Sequence, residues 1–173
     1  MASGRRKRKL ANLRVSRDTG IFLLVTVCGV LLDLLTKRFV FEKFEEAGYI
    51  AIIPNVLGII CSENEGIVFG LAQGNNRIFI ILSFVAIATI FWFYHSFYKS
   101  GFSTNIAFGL ILSGAVGNLW DRLFYHHVRD FIDVHAGRWY HWPTFNFADS
   151  FICIGVGLLV WETLFRKEQK KTA

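Results

Sequence analysis

Four apolar stretches of about twenty residues each, at 21–41, 78–97, 102–119 and 147–165, set the limits on how this chain folds. A helix rises 1.5 Å per residue, so roughly 20 residues cross the ~30 Å hydrocarbon core of a bilayer. Within lipid every backbone N–H and C=O must be bonded inside the protein, which restricts spanning elements to helices and closed barrels. Runs this long and continuous predict helices. With 173 residues, 53% of them hydrophobic, the chain has room for one small polytopic domain and no separate soluble one. The expected class is membrane all-α: a four-transmembrane-helix bundle with a small extracytoplasmic β-sheet.

A net charge of +6 would suit nucleic acid, but its distribution argues for a topology signal. Arg5, Arg6, Lys7, Arg8, Lys9, Arg14 and Arg17 precede the first apolar run, and Arg166, Lys167, Lys170 and Lys171 follow the last. By the positive-inside rule both ends are cytoplasmic, which requires an even number of spans. The chain then divides into a basic cytoplasmic tail at 1–20, a four-span domain at 21–166 and a second basic tail at 167–173. Outer segments fall at 42–77 and 120–146, and the short connection holding Lys99 lies inside.

The basic head and first apolar run resemble a signal peptide, and Val25-Thr26-Val27-Cys28 faintly echoes a lipoprotein cleavage site. Cleavage needs small residues before the cut, and Val27 is branched, so the run is read as an uncleaved span. Cys28, Cys61 and Cys153 show no paired spacing and imply neither a disulfide framework nor a zinc motif. The first outer segment carries β-like runs at 49–53, 56–61 and 67–71, with a turn marked by Asn64 and Gly66. The second is an aromatic loop, with Phe124, Tyr125, Phe131, Trp139, Tyr140, Trp142 and Phe145 favouring the headgroup level. In the third span Gly109, Ser113 and Gly117 recur every four positions, a face suited to close helix packing.

Against this apolar background the ionisable residues stand out, because charge at membrane depth is costly. Asp33 and Lys37 are one turn apart on the first span and are expected to pair. Asp149 lies at the mouth of the fourth span, roughly 25 Å from Arg166 at helical rise. Asn118, Asp121 and Arg122 end the third span, and Asn64 and Asp130 come from the two outer segments. All collect at one level, near the outer edge of the hydrocarbon. Two close carboxylates, Asp130 and Asp149, titrate as a coupled pair, so that one holds a proton while the other acts as base. Asn64, Asn118 and Asn146 supply uncharged donors, and Arg122 is placed to steady the cluster. Asp121 is expected to form a simple ion pair with Arg122. His126, His127, His135 and His141 lack a His-Glu-x-x-His spacing and are read as interfacial residues, with no metal site. Three readings stand on the residues alone: an aspartic peptidase, a carboxylate-based proton or ion transporter, and a membrane assembly subunit with a structural polar cluster.

Five motifs resemble the lipoprotein signal peptidase (signal peptidase II) family: Asp33-Leu-Leu-Thr-Lys37, Asn64-Glu-Gly-Ile-Val-Phe69, Gly114-Ala-Val-Gly-Asn-Leu-Trp-Asp-Arg122, Val128-Arg-Asp-Phe131 and Phe145-Asn-Phe-Ala-Asp149. The resemblance spans 21–165. It implies an aspartic endopeptidase of the bacterial cytoplasmic (inner) membrane that acts on diacylglyceryl-modified prolipoproteins and cuts just before the lipidated cysteine. It places the catalytic pair on Asp130 and Asp149, with Asp33, Lys37, Asn64, Gly66, Asn118, Asp121, Arg122 and Asn146 in support. It further implies no cofactor, no nucleic-acid partner, contact with membrane lipid, inhibition by globomycin and a monomeric state. The chain departs from the family at Leu34, where Gln is frequent, at Val68, where Ala is, and at His126, where Gly is favoured.

Overall fold

The computed structural model of the chain describes residues 2–66, 75–97, 101–137 and 139–169. Helices α1 (Ala2–Phe44), α2 (Asn76–Phe97), α3 (Phe102–Phe124) and α4 (Phe147–Gln169) alternate with strands β1 (Tyr49–Ile53), β2 (Leu57–Asn64), β3 (Val128–Ala136) and β4 (Tyr140–His141). Among the described residues, four helical segments are long and apolar enough to cross a membrane: Arg17–Phe44, Asn76–Ser96, Phe102–Phe124 and Phe147–Phe165. The expected β-run at 67–71 and Lys99 lie outside the described residues. Helix α1 starts at Ala2 rather than near residue 21, so the backbone is already helical before the apolar run begins.

The small residues of α3 explain how the bundle packs. A side chain added at Gly109 would meet Val25, one at Gly29 would meet Ser113, and one at Gly117 would meet the Asp33 carboxylate. Lys37 and Asp121 continue this ladder with an ion pair. Positions 25, 29, 33 and 37 thus meet 109, 113, 117 and 121 in ascending order, so α1 and α3 run parallel. Contacts to α4 descend instead: a side chain added at Gly114 would meet the Ala148 carbonyl and one at Gly155 the Ala107 carbonyl, so α4 is antiparallel to α3. Helix α2 is also antiparallel to α3, since Asn76 Nδ2 donates to the Arg122 carbonyl at one end and Tyr94 packs on Phe108 at the other. The N-terminus of α1 and the C-terminus of α4 therefore lie at the same end of the bundle.

Central placement goes to α3, buried over 61% of its apolar window against 17%, 6% and 11% for the other three. Phe22, Phe108 and Leu112 form the apolar core, with Ile87, Ile90, Tyr94, Val116 and Leu159 packed against it. Outward-facing side chains such as Leu24, Trp92 and Trp161 stay more than 60% exposed, as a lipid-facing surface requires. Gly114 offers the clearest packing test, because its Cβ would strike α4 backbone. Gly114→Ala is expected to cost about 1–3 kcal/mol by overpacking. Gly157, with nothing within 4 Å, should accept alanine without loss. Thermal unfolding of both variants in detergent checks this, and equal melting temperatures would remove the close α3–α4 approach.

Both outer segments contribute to a single antiparallel sheet of order β1-β2-β3-β4. The first two strands match their expectations closely, β2 running three residues past Cys61. The segment read as an aromatic loop contains β3 and β4, which corrects that reading. At its start β3 is buried on both faces, from Val128 to Phe131, so it lacks the alternation that marks a half-exposed strand. Ser62 opposes Asp130 and Asn64 opposes Val128, which puts Asn64 and Asp130 on one face as diagonal neighbours.

Candidate active site

Asn146, fully buried, precedes α4 and bonds reciprocally with its first turn. Its Oδ1 accepts the Asp149 N–H at 3.0 Å, and its own N–H donates to Asp149 Oδ2 at 3.2 Å. This is a capping box, which satisfies two helix-end donors and aims Asp149 back over the helix start. With Oδ1 committed, the Asn146 amide nitrogen turns the other way and donates to Asp130 Oδ1 at 2.6 Å. One asparagine thereby holds both carboxylates.

Asn118 is oriented by the same logic. Lysine has only donors, so the Asn118 oxygen must face Lys37 Nζ, 3.0 Å away. Its nitrogen then donates to Asp149 Oδ1 at 2.8 Å. Asn64 completes the cradle: Oδ1 accepts the Gly66 N–H at 3.1 Å and Nδ2 donates to Asp130 Oδ2 at 2.9 Å. Each oxygen of Asp130 and each oxygen of Asp149 thus has a donor.

Beneath this layer lies a buried ion network. Lys37 pairs with Asp33 at 2.8 Å and with Asp121 at 3.3 Å, all three side chains being fully buried. The second oxygen of Asp33 accepts the Ala148 N–H at 2.9 Å, pinning the start of α4 to α1. Asp121 does not pair with Arg122, as the sequence led us to expect. It binds Arg129 instead, through the backbone N–H at 3.0 Å and Nη2 at 2.8 Å. The Arg129 guanidinium sits 4.0 Å from the Tyr125 ring centroid, and this packed, doubly bonded group fixes the backbone next to Asp130. Arg129 was missed as a site residue, although it lies within the Val128-Arg-Asp-Phe131 motif; its partner is eight residues away and no spacing rule connects them. Arg122 lies over Phe79, 5.5 Å from the ring centroid, and its charge acts through space on Asp149 and Asp130. Every site residue expected from sequence therefore belongs to this one assembly.

The two carboxylates differ in setting. Burial pushes Asp130 up from 3.8 to about 7, against its Asn64 hydrogen bond, and the nearby Asp149 charge adds to the rise. Asp149 sits in the first turn of α4, where the positive end of the helix dipole favours a carboxylate. The segment leading into β3 turns at His126, whose φ of 69° lies in the left-handed region where glycine is normally preferred.

Comparison with known proteins decides the lineage. Residues 25–165 match the family described as signal peptidase (SPase) II. The chain belongs to the signal peptidase II family. A lipoprotein signal peptidase of Syntrophotalea carbinolica is 39% identical over 155 residues, covering 88% of this chain and 92% of the relative. One from Clostridium novyi is 31% identical over 137 residues, covering 79% and 93%. Two solved bacterial membrane enzymes, obtained by the in meso method at 2.3 and 1.9 Å, share the signal peptidase II chain's fold. Their TM-scores are 0.75 and 0.72 at 29% and 28% identity, over 87% and 84% of this chain and 92% and 94% of theirs. As a signal peptidase II family member, the chain is a membrane peptidase with four apolar helices and a small sheet.

Proposed function

We propose that this peptidase is an aspartic endopeptidase that removes signal peptides from diacylglyceryl-modified prolipoproteins, cutting just before the lipidated cysteine. The observation that carries the reading is Asn146 bonded to Asp130 by its side chain and to Asp149 by its backbone N–H. Two aspartates held this way, in unequal surroundings, suit complementary acid and base roles. In the proposed step, ionised Asp149 takes a proton from water as the water oxygen attacks the scissile carbonyl carbon. Protonated Asp130 gives its proton to the carbonyl oxygen. The resulting gem-diol returns a hydroxyl proton to ionised Asp130 as its C–N bond breaks, and the proton held by Asp149 passes to the departing cysteine nitrogen, which restores both aspartates to their starting states.

Orientation and depth fit such a substrate. The basic residues ahead of the first apolar run and beyond the last favour cytoplasmic termini by the positive-inside rule, an orientation in which the site would face the outer side of the bacterial inner membrane. Trp139, Tyr140 and Trp142 are exposed on the β3–β4 hairpin, suited to the headgroup layer where a diacylglyceryl cysteine would be anchored. We expect a monomer, no cofactor, no nucleic-acid partner and inhibition by globomycin. The test compares cleavage of one prolipoprotein with and without its diacylglyceryl group by purified protein. Cleavage confined to the lipidated form supports the reading; equal cleavage of both forms, or cutting elsewhere than before the cysteine, overturns it.

A further inference from the structure

A second polar cluster lies on the β3–β4 hairpin, apart from the aspartate pair. Strand pairing sets His135 opposite His141, with rings stacked at 4.9 Å. Asp133 is two residues before His135 and so on the same strand face. Its carboxylate is 2.9 Å from His135 Nδ1 and 3.5 Å from His141 Nδ1. One ligand-type atom from each residue falls within a mutual 4.8 Å. Tetrahedral zinc at about 2.0–2.1 Å from its ligands separates them by roughly 3.3 Å, a spacing these distances bracket. The site is walled as well as converging. Asp133 opposes Gly58 on β2, and the Tyr49 ring lies over Gly58 and beside His135. Asp133 and His135 are mostly buried, while His141 is 60% exposed and leaves an open side for water or an arriving ion.

We propose that Asp133, His135 and His141 bind one divalent transition-metal ion of the zinc class, with water completing the coordination. Two imidazoles and one carboxylate are donors that zinc accepts. The ion would clip β4 to β3 just before the chain turns through Trp142 to Phe145 and Asn146. Asp130 lies three residues from Asp133, on the opposite strand face, so the ion is separate from the aspartate pair. The sequence concealed this site, because only the hairpin register brings His141 back beside His135.

Isothermal titration of zinc into detergent-solubilised full-length protein, free of added histidines, tests the proposal. Wild type and His126→Asn should bind one equivalent with the same affinity. His141→Ala, at an exposed position, and Asp133→Asn should each weaken binding about tenfold or more. No binding by wild type up to millimolar zinc, or affinity unchanged in both ligand variants, overturns the site.

Discussion

Asp130→Asn and Asp149→Asn are each expected to cut the rate of signal-peptide release by about a hundred- to ten-thousandfold, the range that a positioned acid or base contributes. Combining them adds little further loss, because residues that act as a unit are strongly non-additive. Single-turnover cleavage of a lipidated prolipoprotein, with folding of each variant checked by thermal unfolding, gives the answer. Retention of near-normal turnover in either variant removes that residue from the pair. The pH dependence separates them further. Asp130 is raised to about 7 in the folded protein, from 3.8. Between those values the native state binds more protons than the unfolded chain, so stability is greatest at low pH and declines as pH rises through about 7. An asparagine side chain in place of Asp130 carries no such penalty. Asp130→Asn removes the buried charge but sets its NH2 group against the amide donor of Asn64 or Asn146, so its stability should no longer decline between about pH 4 and pH 7 while its activity stays low. Wild-type activity should fall as Asp130 loses its proton above about pH 7. A variant that keeps the wild-type decline of stability with pH, together with rising wild-type activity at pH 8, would contradict the acid role.

Lys37→Met should destabilise the bundle by about 3–5 kcal/mol, since it leaves the buried Asp33 carboxylate without its cation. Methionine nearly matches the side-chain volume, so the loss reports charge rather than a cavity. Lys37 also holds the Asn118 oxygen. Without it that amide is free to flip, and Asp149 loses its 2.8 Å donor, so activity falls even where folding persists. Adding Asp33→Asn to Lys37→Met should recover part of the stability. Asp121 keeps its Arg129 partner, and the amide oxygen that replaces the Asp33 carboxylate can still accept the Ala148 N–H. Denaturant unfolding in detergent measures each variant. A Lys37→Met protein within about 1 kcal/mol of wild type would mean that the buried charges do not depend on Lys37.

The sequence carried the architecture because the bilayer constrains it so strongly. Apolar runs of spanning length leave one structural solution, and the Gly109–Ser113–Gly117 spacing marks the face that packs on α1. Polar residues in such runs are rare enough to point at the site, which is why Asp33, Lys37, Asn118 and Asp149 were all identifiable. The start of α4 at Phe147 was also legible, since Asn146 and Asp149 form a local capping pair.

What the linear pattern did not reveal are partnerships between distant residues. Asp121 has Arg122 next to it in sequence, but adjacent helical side chains point in different directions, and Asp121 faces Lys37 and Arg129 instead. Strand β3 was hidden because it is buried on both faces where it meets the helices. The sequence alone determined four helices of spanning length, their packing face and which polar residues interrupt or border the apolar runs. Only the tertiary structure decided that β3 joins β2, that Asn146 holds both aspartates and that Asp133 meets two histidines. Those pairings depend on strand register and on which amide atom faces which neighbour, and both are properties of three-dimensional contact rather than of local order along the chain.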